Sequence, residues 1–245
     1  EKWVIKYGKS IIKRNSLSIP LIDEDTVGVI SVLGRNGKGF NLFDQEIMSR
    51  LTEQAVIAIK NAKLYKEQEN ITLASIKSLA SVLEARAPKT YRNTAFFVKL
   101  VLAMGGEMHL GEDELKALQY AALLHDASQA ALPDEILTKH TKLTDKEYKI
   151  VRLLPFKSAK ILEPLKLLKP AMPIVLFHHE NFEGSGYPKG LKGSEIPLGA
   201  RIMAVVGAFL AMIARRPYRE KLDVSRAIDE IKRGSLKQFD PDIVN

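Results

Sequence analysis

The chain of 245 residues contains no cysteine. That excludes disulfides and thiolate ligands, so any metal site must be built from His, Asp or Glu. Histidine occurs only five times, so clustered histidines stand out. No apolar run approaches the roughly 20 residues that span a bilayer. The opening EKWVIKYGKS lacks the apolar stretch of a signal peptide. The expectation is a cytoplasmic protein without a membrane span. Lys and Arg outnumber Asp and Glu by 37 to 29, a formal net charge of +8. The cations are scattered, and no basic block alternates with aromatics. Such an excess reads as a lysine-rich solvated surface or as attraction for a small phosphate-bearing ligand, and a nucleic-acid polymer is not expected as partner.

What is present is ordinary for a globular protein: 46% hydrophobic and 27% charged residues. The length suits one large domain or two smaller ones. SLSIPLID and TVGVISVLG read as two strands of a hairpin around Glu24 and Asp25. After the RNGKG loop a helix is expected from Asp44, with Ile47, Leu51, Ala55, Ile59 and Ala62 near a helical period. No Pro or Gly interrupts it until Pro88. An uninterrupted pattern of this length predicts a connecting helix that pairs with a second copy; two helices joined near Asn70 are the alternative. Beyond Pro88 the pattern is helical, with helices expected over 91–104, 113–125, 144–153, 158–167, 171–178, 198–214 and 224–233. The organisation read from this is an N-terminal segment over 1–65 and a helical domain over 66–245.

Three stretches could carry chemistry. In LLHDASQAALPD, His125 and Asp126 follow Ala121, Ala122, Leu123 and Leu124. A charge-capable pair in an apolar run has to be satisfied. Either the two residues reach one ion, with Fe, Mn, Zn or Ni favoured by the donor types, or they bond to their neighbours. In FHHENFEGSGYPKGLKG, His178 and His179 precede a loop in which Gly184, Gly186, Gly190 and Gly193 permit close approach. Tyr187 on that loop could stack on a base or simply pack. In RRPYREK, Arg215, Arg216, Arg219 and Lys221 follow an apolar helix. They could clamp a phosphate or only complement a helix terminus.

Together, HD, LPDEILTKHTKLTDKEY, HHENFEGSGYPKGLKGSEIPLGARIMAV and RPYR resemble the HD-GYP family, in order and spacing, from about Ile71 to Val244. The resemblance implies an all-helical HD-domain bundle and metal-dependent hydrolysis of the bacterial messenger cyclic di-GMP. It implies metal ligation by His125, Asp126, His178 and His179, and ligand contacts by Gly186, Tyr187, Arg216 and Arg219. It also implies that the GYP loop can meet GGDEF-type cyclase proteins. The stretch from Ser16 to Tyr65 resembles the C-terminal half of a GAF sensory domain. Fewer residues precede Asp44 than a whole GAF domain needs, so a complete GAF ligand pocket is not expected.

Several ligand positions depart from the family pattern. Asn93 stands where the resemblance expects a first histidine, Gln129 where it expects lysine, Leu154 where it expects histidine, and Gly207 where it expects aspartate. Lys89 replaces an acidic ligand for a third ion. Leucine and glycine offer no side-chain donor, and asparagine replaces imidazole poorly for these metals. The expectation is therefore a mainly α protein: a small α/β GAF-like segment, a long helix and a degenerate HD-GYP bundle. It would hold no metal or one divalent transition ion, bind cyclic di-GMP or a related nucleotide, or a GGDEF protein, and form a homodimer. Residual phosphodiesterase activity is the alternative, and a dimeric scaffold that binds no nucleotide is the third reading.

Overall fold

Alternation of apolar and polar residues builds the only extended part of the described chain. In Ser16–Asp23, Leu17 and Ile19 point inward and are buried, the period-2 signature of a half-buried strand. This strand, β2, pairs antiparallel with β1 (Ile11–Lys13) on one side and β3 (Asp25–Leu33) on the other, with a register shift at Leu21/Ile22. The computed structural model describes residues 8–13, 15–23, 25–34, 39–86, 94–127, 132–137, 139, 141, 143–214 and 220–245. They fall into two compact units, 1–73 and 74–245.

One helix, α1, runs from Leu42 to Arg86. It starts two residues before the expected Asp44 because Asn41 is the cap. The Asp44 amide donates to the Asn41 side chain, and the Asn41 amide donates to the Asp44 carboxylate, each at 2.9 Å. The absence of Pro and Gly then lets it continue past Asn70. Lys60 on α1 pairs with Asp23 of β2 at 2.9 Å. No helix among the described residues is long and apolar enough to cross a membrane.

The second unit is helical: α2 (Thr94–Glu107), α3 (Glu112–Leu124), α4 (Asp134–Leu137), α5 (Asp145–Arg152), α6 (Leu154–Leu162), α7 (Met172–Phe177), α8 (Leu198–Ile213), α9 (Val224–Arg233) and α10 (Pro241–Val244), with 3-10 turns at Lys166–Ala171 and Gly193–Glu195. The expected helix over 158–167 lies earlier, at Leu154–Leu162. Pro155 occupies its first turn, where the missing N–H costs nothing. Pro164 cannot continue it, and the chain leaves the helix at Glu163. The other expected helices match to within a few residues.

Helix α8 carries the core. Ala200, Ile202, Met203, Val205 and Val206 are buried on it. Its first turn holds Gly199, where a Cβ would stand 2.8 Å from the Ile174 Cδ1, so a larger residue there would have to displace the Ile174 side chain of α7. Arg201 on α8 donates from Nε to the Ile196 carbonyl at 2.9 Å and pairs with Asp240. The Asp240 carboxylate is almost fully buried and also caps α10, accepting the Asp242 amide at 2.9 Å. Burying both charges is tolerable because each has a partner; removing one strands the other. Asp240→Ala is expected to cost about 3 kcal/mol, read as a lower urea midpoint with unchanged slope. A loss below about 0.5 kcal/mol, the size of a surface change, would contradict this role.

Candidate functional site

His125, Asp126, His178, His179, Gly186 and Tyr187 converge on one cleft of the second unit, with a volume of about 810 Å³. Its walls include Phe97, His125, Asp126, Tyr148, Arg152, Leu154, His178, His179, Tyr187 and Gly207. They come from α2, from the ends of α3 and α7, from α5, α6 and α8, and from the loop after α7.

His125 follows the last turn of α3, whose Ala121, Ala122 and Leu124 are buried. Its Nδ1 donates to the Ala122 carbonyl at 3.0 Å, and its Nε2 lies 3.2 Å from the Asp126 carboxylate. Both neighbours are acceptors, so the ring is best satisfied with a proton on each nitrogen. Burial alone would lower its pKa; the Asp126 charge and hydrogen bond outweigh it and raise the pKa. Desolvation by the cleft walls pushes the Asp126 carboxyl up, but the His125 charge and hydrogen bond hold it below the usual carboxylate range. Phe97 stacks on His125 at 4.8 Å between ring centres, and Ser158 on α6 donates to the His125 carbonyl at 3.1 Å.

The two later histidines are in the opposite state. His178 donates from Nδ1 to the Val175 carbonyl at 2.7 Å, which leaves Nε2 a buried lone pair without a partner. Burial, then the charges of His179 and His125, drive its pKa well below 6.5. His179 is lowered to about 4, mainly by burial. Their rings lie 4.0 Å apart, and His125 meets His178 edge-on at 5.4 Å.

The chemistry of these donors answers whether an ion fits. His178 Nε2 and the Asp126 carboxylate are suitable. The Nε2 of His125 is turned to the Asp126 carboxylate at 3.2 Å in this arrangement. Among the described residues no group of three or more His, Asp and Glu could hold an ion. Leu154 and Gly207, where the resemblance expects further ligands, both line the cleft. A Cβ on Gly207 would first meet the Phe97 ring at 3.9 Å, so a side chain would have room there. The described residues thus do not fit a two-ion centre. Asn93, Gln129, Lys89, Arg216 and Arg219 lie outside the described residues.

The loop is held by a residue that sequence reasoning passed over. Glu180 is buried and its carboxylate accepts the amides of Lys189 at 2.7 Å and of Gly190 at 3.0 Å. Gly186 is required by the same fold-back. A Cβ there would stand 2.2 Å from the Asn181 amide nitrogen, so the close approach this glycine permits is to the chain's own backbone. Tyr187 then lies over His179 at 4.9 Å, nearly parallel, and meets Tyr148 edge-on at 6.5 Å. Burial raises the Tyr187 hydroxyl to about 12.

Arg152 also went unnoticed. Its guanidinium lies 5.9 Å from the Tyr148 ring centre and 5.4 Å from that of Tyr187. The signal was available: Thr144 and Glu147 form a capping box that starts α5, which puts Tyr148 and Arg152 on one face at i, i+4. Glu147 also binds Lys139 at 2.5 Å, and this hydrogen bond, with those from Thr144, lowers its carboxyl to about 2.

With this geometry established, comparison with known proteins places the chain. A family model described as HD domain matches residues 77–243, and the chain belongs to the HD domain family. The HD-GYP resemblance is borne out by its relatives. A protein of Thermotoga maritima named cyclic di-GMP phosphodiesterase is 32% identical over 84% of this chain and 56% of its own length. The cyclic di-GMP phosphodiesterase response regulator RpfG of Xanthomonas campestris pv. campestris is 34% identical over 79% of this chain and 50% of its own. The 3'3'-cGAMP-specific phosphodiesterase 2 of Vibrio cholerae is 30% identical over 90% and 43%. The chain therefore spans about half the length of the curated relatives it matches. Among solved structures, an HD-GYP protein from Bdellovibrio bacteriovorus superposes with a TM-score of 0.51 at 16% identity, covering 71% of this chain and 57% of that one. A cyclic GMP-AMP-specific phosphodiesterase of V. cholerae gives 0.50 at 19% identity, covering 69% and 46%. At these identities the structures show the shared fold.

Glu180→Gln keeps the side-chain shape and removes the charge from two charge-assisted hydrogen bonds. The expected cost is about 1–2 kcal/mol, together with faster amide exchange at Lys189 and Gly190. Unchanged exchange at both amides would show that Glu180 does not hold the loop.

Proposed function

We propose that this chain is a signalling protein whose HD-GYP-type cleft binds cyclic di-GMP, or docks a GGDEF-type protein through the Gly186–Tyr187 loop, without hydrolysing the dinucleotide. One observation carries the reading: the cleft keeps a face for stacking and cations but presents Leu154 and Gly207 where the resemblance expects metal ligands. Metal ions in such a site would polarise the phosphodiester and supply a hydroxide nucleophile. What this chain's residues offer instead is recognition. Tyr187, backed by His179, gives a π-face for a guanine. Arg152 and His125 lie along the same cleft, suited to phosphate oxygens. Arg216 and Arg219 are assigned to the same anion as a phosphate clamp.

In this reading residues 1–65 act as a GAF-like sensor segment and residues 66–245 as the effector domain. Helix α1 passes the state of the cleft to a second copy in a homodimer. A cytoplasmic setting belongs to the same proposal. The other reading is a phosphodiesterase with a single Fe, Mn, Zn or Ni ion on Asp126 and His178, a pair that His179 would have to turn to complete. It is favoured by the unpartnered Nε2 of buried His178.

Calorimetry with cyclic di-GMP, paired with a product assay in Mn²⁺ or Fe²⁺, separates them. Saturable binding without linear product is expected. Arg152→Ala is expected to weaken binding by about 1.5 kcal/mol, roughly tenfold, as for a charged hydrogen bond or a cation–π contact. Turnover that Asp126→Ala abolishes would discard the non-catalytic reading, and absence of binding heat would discard nucleotide recognition.

A further inference from the structure

The exposed side of α6 has a character of its own. On α6, Pro155, Ser158, Ala159 and Leu162 are buried, at the i, i+3, i+4, i+7 spacing of one helix face. Phe156, Lys157, Lys160 and Ile161 occupy the opposite face and are exposed. The exposed apolar surface continues on both sides of α6, with Leu153 53% exposed before it, and Leu165 and Leu167 47% and 48% exposed after it. Phe156 and Ile161 are themselves 44% and 53% exposed. Four exposed lysines, Lys157, Lys160, Lys166 and Lys169, are interleaved with these side chains, against one exposed carboxylate, Glu163. A single exposed leucine needs no explanation. Five large apolar side chains close in sequence, set among lysines, do.

Charge complementarity and residue type select the occupant. The surface is cationic, so its partner is anionic. Protein interfaces are enriched in arginine and depleted in lysine, whereas this stretch from Leu153 to Lys169 holds four lysines and no arginine. Lysine with Leu, Ile and Phe is the composition that settles at a lipid boundary. There the apolar groups sink about 5–10 Å among the acyl chains, and the lysine stems extend to hold the ammonium groups at headgroup level. We infer that the exposed side chains of Leu153–Lys169, on α6 and on the 3-10 turn that follows it, form a docking surface for an anionic lipid bilayer. The surface is distinct from the cleft, yet α6 serves both: Leu154 and Pro155 line the cleft while Phe156 and Ile161 are exposed. Lipid contact would therefore bear on the helix that forms one cleft wall.

The test is co-sedimentation of the whole chain with vesicles of phosphatidylcholine alone and with about one third phosphatidylglycerol. Binding to the anionic vesicles only, reversed by 0.5 M salt, is expected. Each lysine near such a surface contributes about fivefold in partition, so Lys157→Gln with Lys160→Gln should reduce binding roughly 25-fold. These side chains are exposed, so the variant should keep its melting curve. Phe156→Ser should weaken binding to vesicles while leaving cyclic di-GMP binding unchanged. No binding to anionic vesicles, or binding indifferent to the lysine substitutions, would overturn the inference. Retention on immobilised polyglutamate without vesicle binding would assign the face to an acidic protein and also overturn it.

Discussion

His125 is held between two acceptors, the Ala122 carbonyl and the Asp126 carboxylate, and much of the second unit's site is organised around that arrangement. The ring takes Phe97 of α2 on its face, and its carbonyl takes the Ser158 hydroxyl of α6. One residue at the end of α3 thus ties three helices together at the floor of the cleft. A charge-capable group inside an apolar run must be compensated, and here its neighbour does so. That internal pairing satisfies the same nitrogen that a metal would need.

The second constraint is the fold-back of the loop after α7. Glu180 gathers two backbone amides, and Gly186 lets the returning strand of loop pass against residues 180 and 181. Together they place Tyr187 flat on His179. The stacking face is therefore preformed by backbone geometry. The cation beside it, Arg152, is delivered from a different helix whose start is set by the Thr144–Glu147 box. Binding that needs little rearrangement loses less conformational entropy.

The long helix, the strand pair and the helical character after Pro88 were legible because periodicity and the placing of Pro and Gly are local signals. The bounds of α6 were less so: apolar periodicity pointed to 158–167, while Pro155 and Pro164 decided the actual ends. Among site residues, His125, Asp126, His178, His179 and Tyr187 were legible through the motifs that contain them, and they do meet in one cleft. Glu180 and Arg152 were not singled out, because their roles depend on partners brought together by folding: backbone amides nine and ten residues away for one, a ring on another element for the other. The state of His125 was equally hidden, since nothing in the letters HD says that both nitrogens face acceptors.

In the proposed function the cleft recognises a dinucleotide without a two-ion centre. Metal content tests it most directly. The chain would be purified from cells supplied with iron and manganese, dialysed without chelator, and its ions counted by plasma mass spectrometry. No more than one transition ion per chain is expected. Two tightly held ions per chain would contradict it.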